Sequence, residues 1–229
     1  MSRAVIKKVH INVANILSLT GLALGFVAFM NVHKDLELSL KLIILATILD
    51  QLDGRIARYL KIESEVGKQI DSFVDMLNFG LFAPFILIMA YDQINIYSIS
   101  MVFIFTVAAL LRLTRFNLQD NQSVFYGIPV PCAAILVIMP VIFQYKLETD
   151  INLLTVVLTI IPISIGMLMK TKTISIKTFK LGVNYFSLFV FILTLITLYD
   201  ILWGAVLFGS LYILTIIHSI LAKFSVKKQ

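Results

Sequence analysis

Long apolar runs separated by short polar connections dominate the chain. Runs of about 17–22 residues suffice to cross a hydrocarbon core, and they fall at residues 12–32, 38–58, 71–91, 95–114, 129–145, 151–169, 183–199 and 202–222. A lipid-embedded backbone must satisfy its own hydrogen bonds, so runs of this length predict helices. The pattern therefore predicts an all-α, polytopic helical bundle of about eight spans. No polar stretch is long enough for a separate soluble unit, which leaves one membrane domain. Residues 1–10, MSRAVIKKVH, form a basic segment suited to the membrane interface. They are too charged for the apolar part of a cleavable leader, and the run that follows is long enough to span.

Composition agrees with the pattern. Of 229 residues, 59% are hydrophobic and 14% charged, and the mean hydropathy is +0.96, outside the range of soluble domains. The distribution of charge adds an orientation. If the connections alternate sides, sixteen of the 19 basic residues fall on one side, and Lys34, Lys41 and Lys146 alone fall on the other. Basic residues accumulate on the cytoplasmic side, so both termini and the loop near residue 60 are expected there. These lysines and arginines act as topology determinants, and nucleic-acid binding is not indicated. Cys132 is the single cysteine, which excludes a disulfide within the chain and a cysteine-rich metal site. His10, His33 and His218 are scattered, so a structural role is expected for each.

Against this apolar background, DQLDGRIARYLKIESEVGKQIDSFVD at 50–75 stands out. Asp50 and Asp53 are three residues apart at the end of the second run, and Asp71 and Asp75 are four apart at the start of the third. Each pair shares a helix face, and the short connection makes the two helices antiparallel neighbours, so four carboxylates can converge. An isolated aspartate within the bilayer costs about 2.5–3.5 kcal/mol on insertion scales, which demands a cationic partner. Arg55, Arg58 and Lys68 offer one answer, a salt-bridged hairpin. A second is a pair of hard divalent cations, because oxygen ligands without His or Cys suit Mg²⁺, Mn²⁺ or Ca²⁺. Such a pair forms a clamp for phosphoryl transfer, and Gly54 and Gly67 let a phosphate or nucleotide approach the backbone. A third is an ion site of a cation transporter, although runs five to eight carry no acidic residue to continue a path.

The stretch resembles the signature of the CDP-alcohol phosphotransferases, D-x2-D-G-x2-A-R-x8-G-x3-D-x3-D, in Asp50, Asp53, Gly54, Ala57, Arg58, Gly67, Asp71 and Asp75, with every spacer of the right length. The resemblance implies a six-helix catalytic core, here 11–170, with two additional C-terminal helices at 183–222. It implies an active site at the cytoplasmic interface, two divalent cations (Mg²⁺ or Mn²⁺) and a homodimer. It further implies that Asp50, Asp53 and Asp71 are the principal metal ligands. Asp75 would complete the site as general base, and Asp53, Gly54, Ala57, Arg58 and Gly67 would line the CDP-lipid pocket. The family's N-terminal pattern P-N-x-x-T-x-x-N-x-x-x-G is matched by Asn15 and Gly25 and departed from at Ala14, Ser18 and Gly21. The resemblance thereby implies Asn15 as a further nucleotide contact.

The donor is common to the family, and the acceptor must be read elsewhere. RLTRFN at 112–117, FYGIPVPCAA at 125–134 and MLNFGLFAP at 76–84 are similar to stretches of the CDP-diacylglycerol–serine O-phosphatidyltransferases within that family, with Thr114 where alanine is usual. Arg112, Arg115 and Asn117 suit a lipid phosphate or a serine carboxylate; alternatively the two arginines snorkel at a helix end. The expected substrates are CDP-diacylglycerol and L-serine, in a multi-pass cell-membrane protein. Glycerol 3-phosphate, inositol phosphate or choline as acceptor, and an archaeal ether-lipid donor, remain open.

Overall fold

The computed structural model describes residues 13–90, 92, 94–118, 124–147, 153–169 and 172–174, together with 196 and 199–201. Within them the first six apolar runs are helical: α1 (Val13–Asn31), α2 (Leu36–Leu60), α3 (Glu65–Leu77) continuing through a π-helical turn (Asn78–Phe82) into α4 (Ala83–Met89), α5 (Ile96–Asn117), α6 (Val130–Leu147) and α7 (Leu153–Leu168). The segment 1–10 and almost all of the expected spans 183–199 and 202–222 lie outside the described residues. Three helices, Val13–Asn31, Glu65–Met89 and Ile96–Asn117, are long and apolar enough to cross a membrane. Ile16, Phe26 and Met30 on α1, Phe103 and Leu110 on α5, and Leu154, Leu158 and Ile165 on α7 are exposed, as expected of surfaces solvated by lipid. The chain is an integral membrane protein.

Local chemistry sets the ends of the central hairpin. Lys61 closes α2 in the left-handed conformation, at φ 56°, and the Ile62 N–H reaches back to the Ala57 carbonyl at 3.0 Å. Ser64 opens α3 by accepting the Gly67 N–H at 3.0 Å, an N-cap that satisfies one of the helix's orphan donors. Few residues separate the two caps, so α2 and α3 turn back on one another.

The third span is held by a different device. Pro84 has no N–H to give the Gly80 carbonyl. The helix widens there into its π turn, in which Ala83 N–H bonds to the Asn78 carbonyl, and Thr106 on α5 donates its hydroxyl to the Gly80 carbonyl at 2.9 Å. A neighbouring hydroxyl thus replaces the missing donor, as helix breaks in membranes require.

Below the hairpin the core is aliphatic and closely packed. Leu40, Ile43 and Ile44 of α2, Ile86–Ile88 of α4, Phe105 of α5 and Ile135, Ile138 and Ile142 of α6 are fully buried. At the end far from the aspartates, Tyr145 donates to Glu37 at 2.7 Å, His33 stands 3.7 Å from Asp92, and Lys146 stands 3.5 Å from Asp200. The connections expected on the outer side thus share one end of the bundle.

The helical expectation needs one addition. Val124–Tyr126 and Lys172–Ile174 pair as a two-stranded antiparallel ribbon, tying the α5–α6 connection to the segment after α7. Gly127 follows at φ 70°, where a Cβ would strike the Met167 carbonyl, and Ile128 N–H bonds to the Gly166 carbonyl at 3.1 Å. Three-residue strands carry too little periodicity to be read from sequence.

Thr106→Val is expected to lower stability by about 1 kcal/mol, the scale of a side-chain hydrogen bond inside a membrane bundle, while Thr106→Ser retains it. Thermal unfolding in detergent checks both; equal stability of the valine variant and the wild type contradicts the proposed patch.

Candidate metal centre

Asp50 and Asp53 sit near the end of α2, and Asp71 and Asp75 on α3 just beyond the turn. One carboxylate oxygen from each of Asp50, Asp53 and Asp71 lies within 4.8 Å of the others. Asp53 is buried, and the other three aspartates are partly buried. The expected convergence of like charges is therefore present. Asp75 stands beside this trio, its carboxyl group against that of Asp50, and its Oδ1 is buried with no hydrogen-bond partner in the protein.

This donor set fits a hard divalent cation. Bonds of about 2.0–2.1 Å, as for Mg²⁺, place trans oxygens about 4.2 Å apart, and the longer Ca²⁺ bonds place them about 4.6–5.2 Å apart. The spread of the trio accommodates either with small side-chain adjustments. Oxygen-only donors, repelling neighbours and an orphaned buried oxygen suit this cluster to holding a cation between the two helix ends.

Helix α1 supplies the floor of the centre. It buries Ala14, Asn15, Ser18, Gly21, Gly25 and Ala28, a seam of small residues at three- and four-residue spacing that lets backbones approach closely. Ser18 donates to Asp53 Oδ2 at 2.6 Å, a charge-assisted length, and its oxygen also lies 3.1 Å from the Ala14 carbonyl. Buried Asn15 reaches the start of α3: a Cβ on Gly67 would lie 2.9 Å from Asn15 Oδ1. Gly67 is therefore small because a polar side chain of α1 occupies the adjoining space. The Arg58 guanidinium folds over Gly54, with Nη1 3.4 Å from where a Cβ would stand, and its field acts on Asp53. Ala57 lies one turn after Asp53 on α2, partly buried.

The remaining candidates come from α5. Arg112 is buried, stands with its guanidinium 5.5 Å from the centre of the Phe116 ring, and acts electrostatically on Asp75. Asn117 donates to Ser72 Oγ at 2.9 Å, and Ser72 lies on α3 between Asp71 and Asp75. Arg115 turns elsewhere and donates to the Leu168 carbonyl at the end of α7, 2.9 Å away. The structure thus brings Arg112 and Asn117 to the aspartate-bearing helix and gives Arg115 a helix-end contact. Ser18 and Ser72 were not among the expected site residues. Ser18 carried a signal, its three-residue spacing from Asn15; Ser72 sits in a motif spacer whose identity no chemistry demanded.

Comparison with known proteins agrees with this geometry. The family model for CDP-alcohol phosphatidyltransferase matches residues 11–165. Proteins named CDP-diacylglycerol–serine O-phosphatidyltransferase are similar to the chain. That of Helicobacter pylori (strain ATCC 700392 / 26695) is 38% identical over 110 residues, covering 46% of each chain. That of Methanocaldococcus jannaschii is 37% identical over 100 residues, 44% of this chain and 48% of the relative. That of Bacillus subtilis (strain 168) is 30% identical over 124 residues, 52% of this chain and 66% of the relative. The matched region spans about half the length of the first two.

Ser18→Ala is expected to weaken Mn²⁺ binding about tenfold, the usual lower bound for losing a group that orients a metal ligand, and Ser18→Thr to preserve it. Electron paramagnetic resonance of free Mn²⁺ during titration of the detergent-solubilised protein reads this directly; unchanged affinity in the alanine variant removes Ser18 from the site.

Proposed function

Because the chain belongs to the CDP-alcohol phosphatidyltransferase family, we propose that it transfers the phosphatidyl group of CDP-diacylglycerol to the hydroxyl of L-serine, releasing CMP and forming phosphatidylserine. The observation that carries this reading is the convergence of Asp50, Asp53 and Asp71 beside an Asp75 whose buried oxygen has no protein partner. The names of the relatives from three organisms support serine as the acceptor.

Each residue has a chemical task in this reading. Asp50, Asp53 and Asp71 hold the cations, with Asp75 completing the set. Bound as a pair, Mg²⁺ or Mn²⁺ supplies Lewis-acid neutralisation of the pyrophosphate and makes CMP a better leaving group. Gly54 and Gly67 leave room for the nucleotide, with Asn15, Ala57 and Arg58 along its pocket. The serine oxygen attacks the phosphorus next to diacylglycerol, the bond from that phosphorus to the CMP oxygen breaks, and the hydroxyl proton passes to Asp75. Its unpartnered oxygen suits it to that work, since a general base must reach the proton it removes. Arg112, close to Asp75, receives an anion, either the lipid phosphate or the serine carboxylate; Asn117 lies on the same side through Ser72, while Arg115 bonds the end of α7. In this reading the centre faces the cytoplasm, which the charge asymmetry supports, and the protein acts as a homodimer in the cell membrane.

Purified protein given CDP-diacylglycerol and Mn²⁺ is expected to release CMP only when serine is added, and to stop when EDTA removes the metal. Release with a different alcohol alone would keep the chemistry and refute serine; no release with any acceptor would refute the reading. Asp75→Asn is expected to lower turnover by about 10²–10⁴-fold while CDP-lipid binding persists. Normal turnover in that variant would exclude Asp75 as the base.

A further inference from the structure

The π turn places one more polar side chain against α1. Asn78 is fully buried and donates from Nδ2 to the Gly21 carbonyl at 3.0 Å. Its Oδ1 is also buried, with no hydrogen-bond partner in the protein. The amide lies where a side chain of residue 25 would otherwise be: a Cβ built on Gly25 collides with Oδ1 and Cγ of Asn78. The missing Cβ of Gly25 is thus a notch, and the Asn78 amide fills it. Burying an amide with only one of its polar ends bonded costs free energy, so a leucine of similar size would satisfy packing at lower cost. That asks for a reason beyond packing.

The reason lies in helix phase. Asp71, Asp75 and Asn78 follow at spacings of four and three and so share one face of α3. Asn78 is also the first residue of the π turn, its carbonyl taking the Ala83 N–H, and a π turn offsets the rotation of whatever follows it. A hydrogen bond from this residue to α1 fixes how α3 is rotated about its axis, one turn beyond Asp75. Helix α1 is tied to α2 through Ser18 and Asp53, and farther along through Ser39, which donates to the Ala28 carbonyl at 2.6 Å. The two aspartate pairs are thus referenced to the same helix, one pair through Ser18 and the other through Asn78.

We propose that Asn78, seated in the Gly21–Gly25 notch of α1, is a positioning residue that sets the rotation of α3 and so holds Asp71 and Asp75 in register with Asp50 and Asp53 for divalent-cation binding. This rests on the metal reading of the aspartates given above. Asn78→Leu removes the donor and keeps the bulk. The pair Gly25→Ala with Asn78→Ala fills the notch with a methyl group and removes the amide, which gives a second folded variant if leucine disturbs assembly.

The test measures Mn²⁺ binding by electron paramagnetic resonance and the melting temperature on the same detergent-solubilised samples, without substrate. The expected result is about tenfold weaker Mn²⁺ binding in each variant, the scale seen when a group orienting a ligand is lost, with folding retained. Wild-type affinity in folded Asn78→Leu or in the double variant would show the amide to be filler and overturn the proposal, as would a lowered melting temperature with unchanged affinity. If the wild type itself takes up no Mn²⁺, the metal reading fails and this assignment falls with it, an outcome distinct from a wild type that binds and variants that bind equally.

Discussion

Repulsion among four carboxylates at the turn of one helical hairpin is the constraint around which the molecule is arranged. Aspartates gathered at the edge of a bilayer resist approach unless a cation lies among them, and in the proposed metal reading the polypeptide must hold them close before that cation arrives. It does so by making the surrounding structure stiff. The hairpin is capped at both sides of its turn by Lys61 and Ser64. Its base is an aliphatic core of fully buried side chains, and α1 runs along it as a rail of small residues. Glycine, alanine and serine on that rail bring the backbones near enough for Ser18 and Asn78 to make contacts that longer residues would prevent.

The same economy explains the break in the third span. A proline in a membrane helix leaves a carbonyl without its donor, and here Thr106 supplies the bond while the helix widens to a π turn. The widened turn carries Asn78 toward α1, so a local backbone defect is also the point at which the helix bearing two aspartates is anchored. Preorganisation of this kind matters for phosphoryl chemistry, where catalysis consists chiefly of positioning and charge stabilisation.

Much of this was visible in the sequence. The six apolar runs 12–32 to 151–169 correspond to helices within a few residues at most of their ends, because length and apolarity suffice to locate such helices. The larger shift, at the start of the third span, reflects Ser64 and Gly67: capping chemistry begins α3 at Glu65, whereas hydropathy alone begins it near Asp71. The aspartate cluster was legible because carboxylates are costly in lipid and their spacing places them on facing helix surfaces. Ser72 and Asn78 were not, since each is an ordinary polar residue until a partner from a distant helix meets it, and Ser18 offered only its spacing from Asn15. The ribbon joining Val124–Tyr126 to Lys172–Ile174 depends on pairing across two intervening helices, which no local pattern encodes. Arg115 was grouped with Arg112 on charge and on the RLTRFN resemblance, and the structure separates them by direction.

The most direct test of the central claim is an anomalous-scattering map from crystals grown with Mn²⁺. The account predicts anomalous density between the ends of α2 and α3, within bonding distance of oxygens from Asp50, Asp53 and Asp71. Density elsewhere, or aspartates neutralised by arginine and lysine with no metal among them, would contradict it.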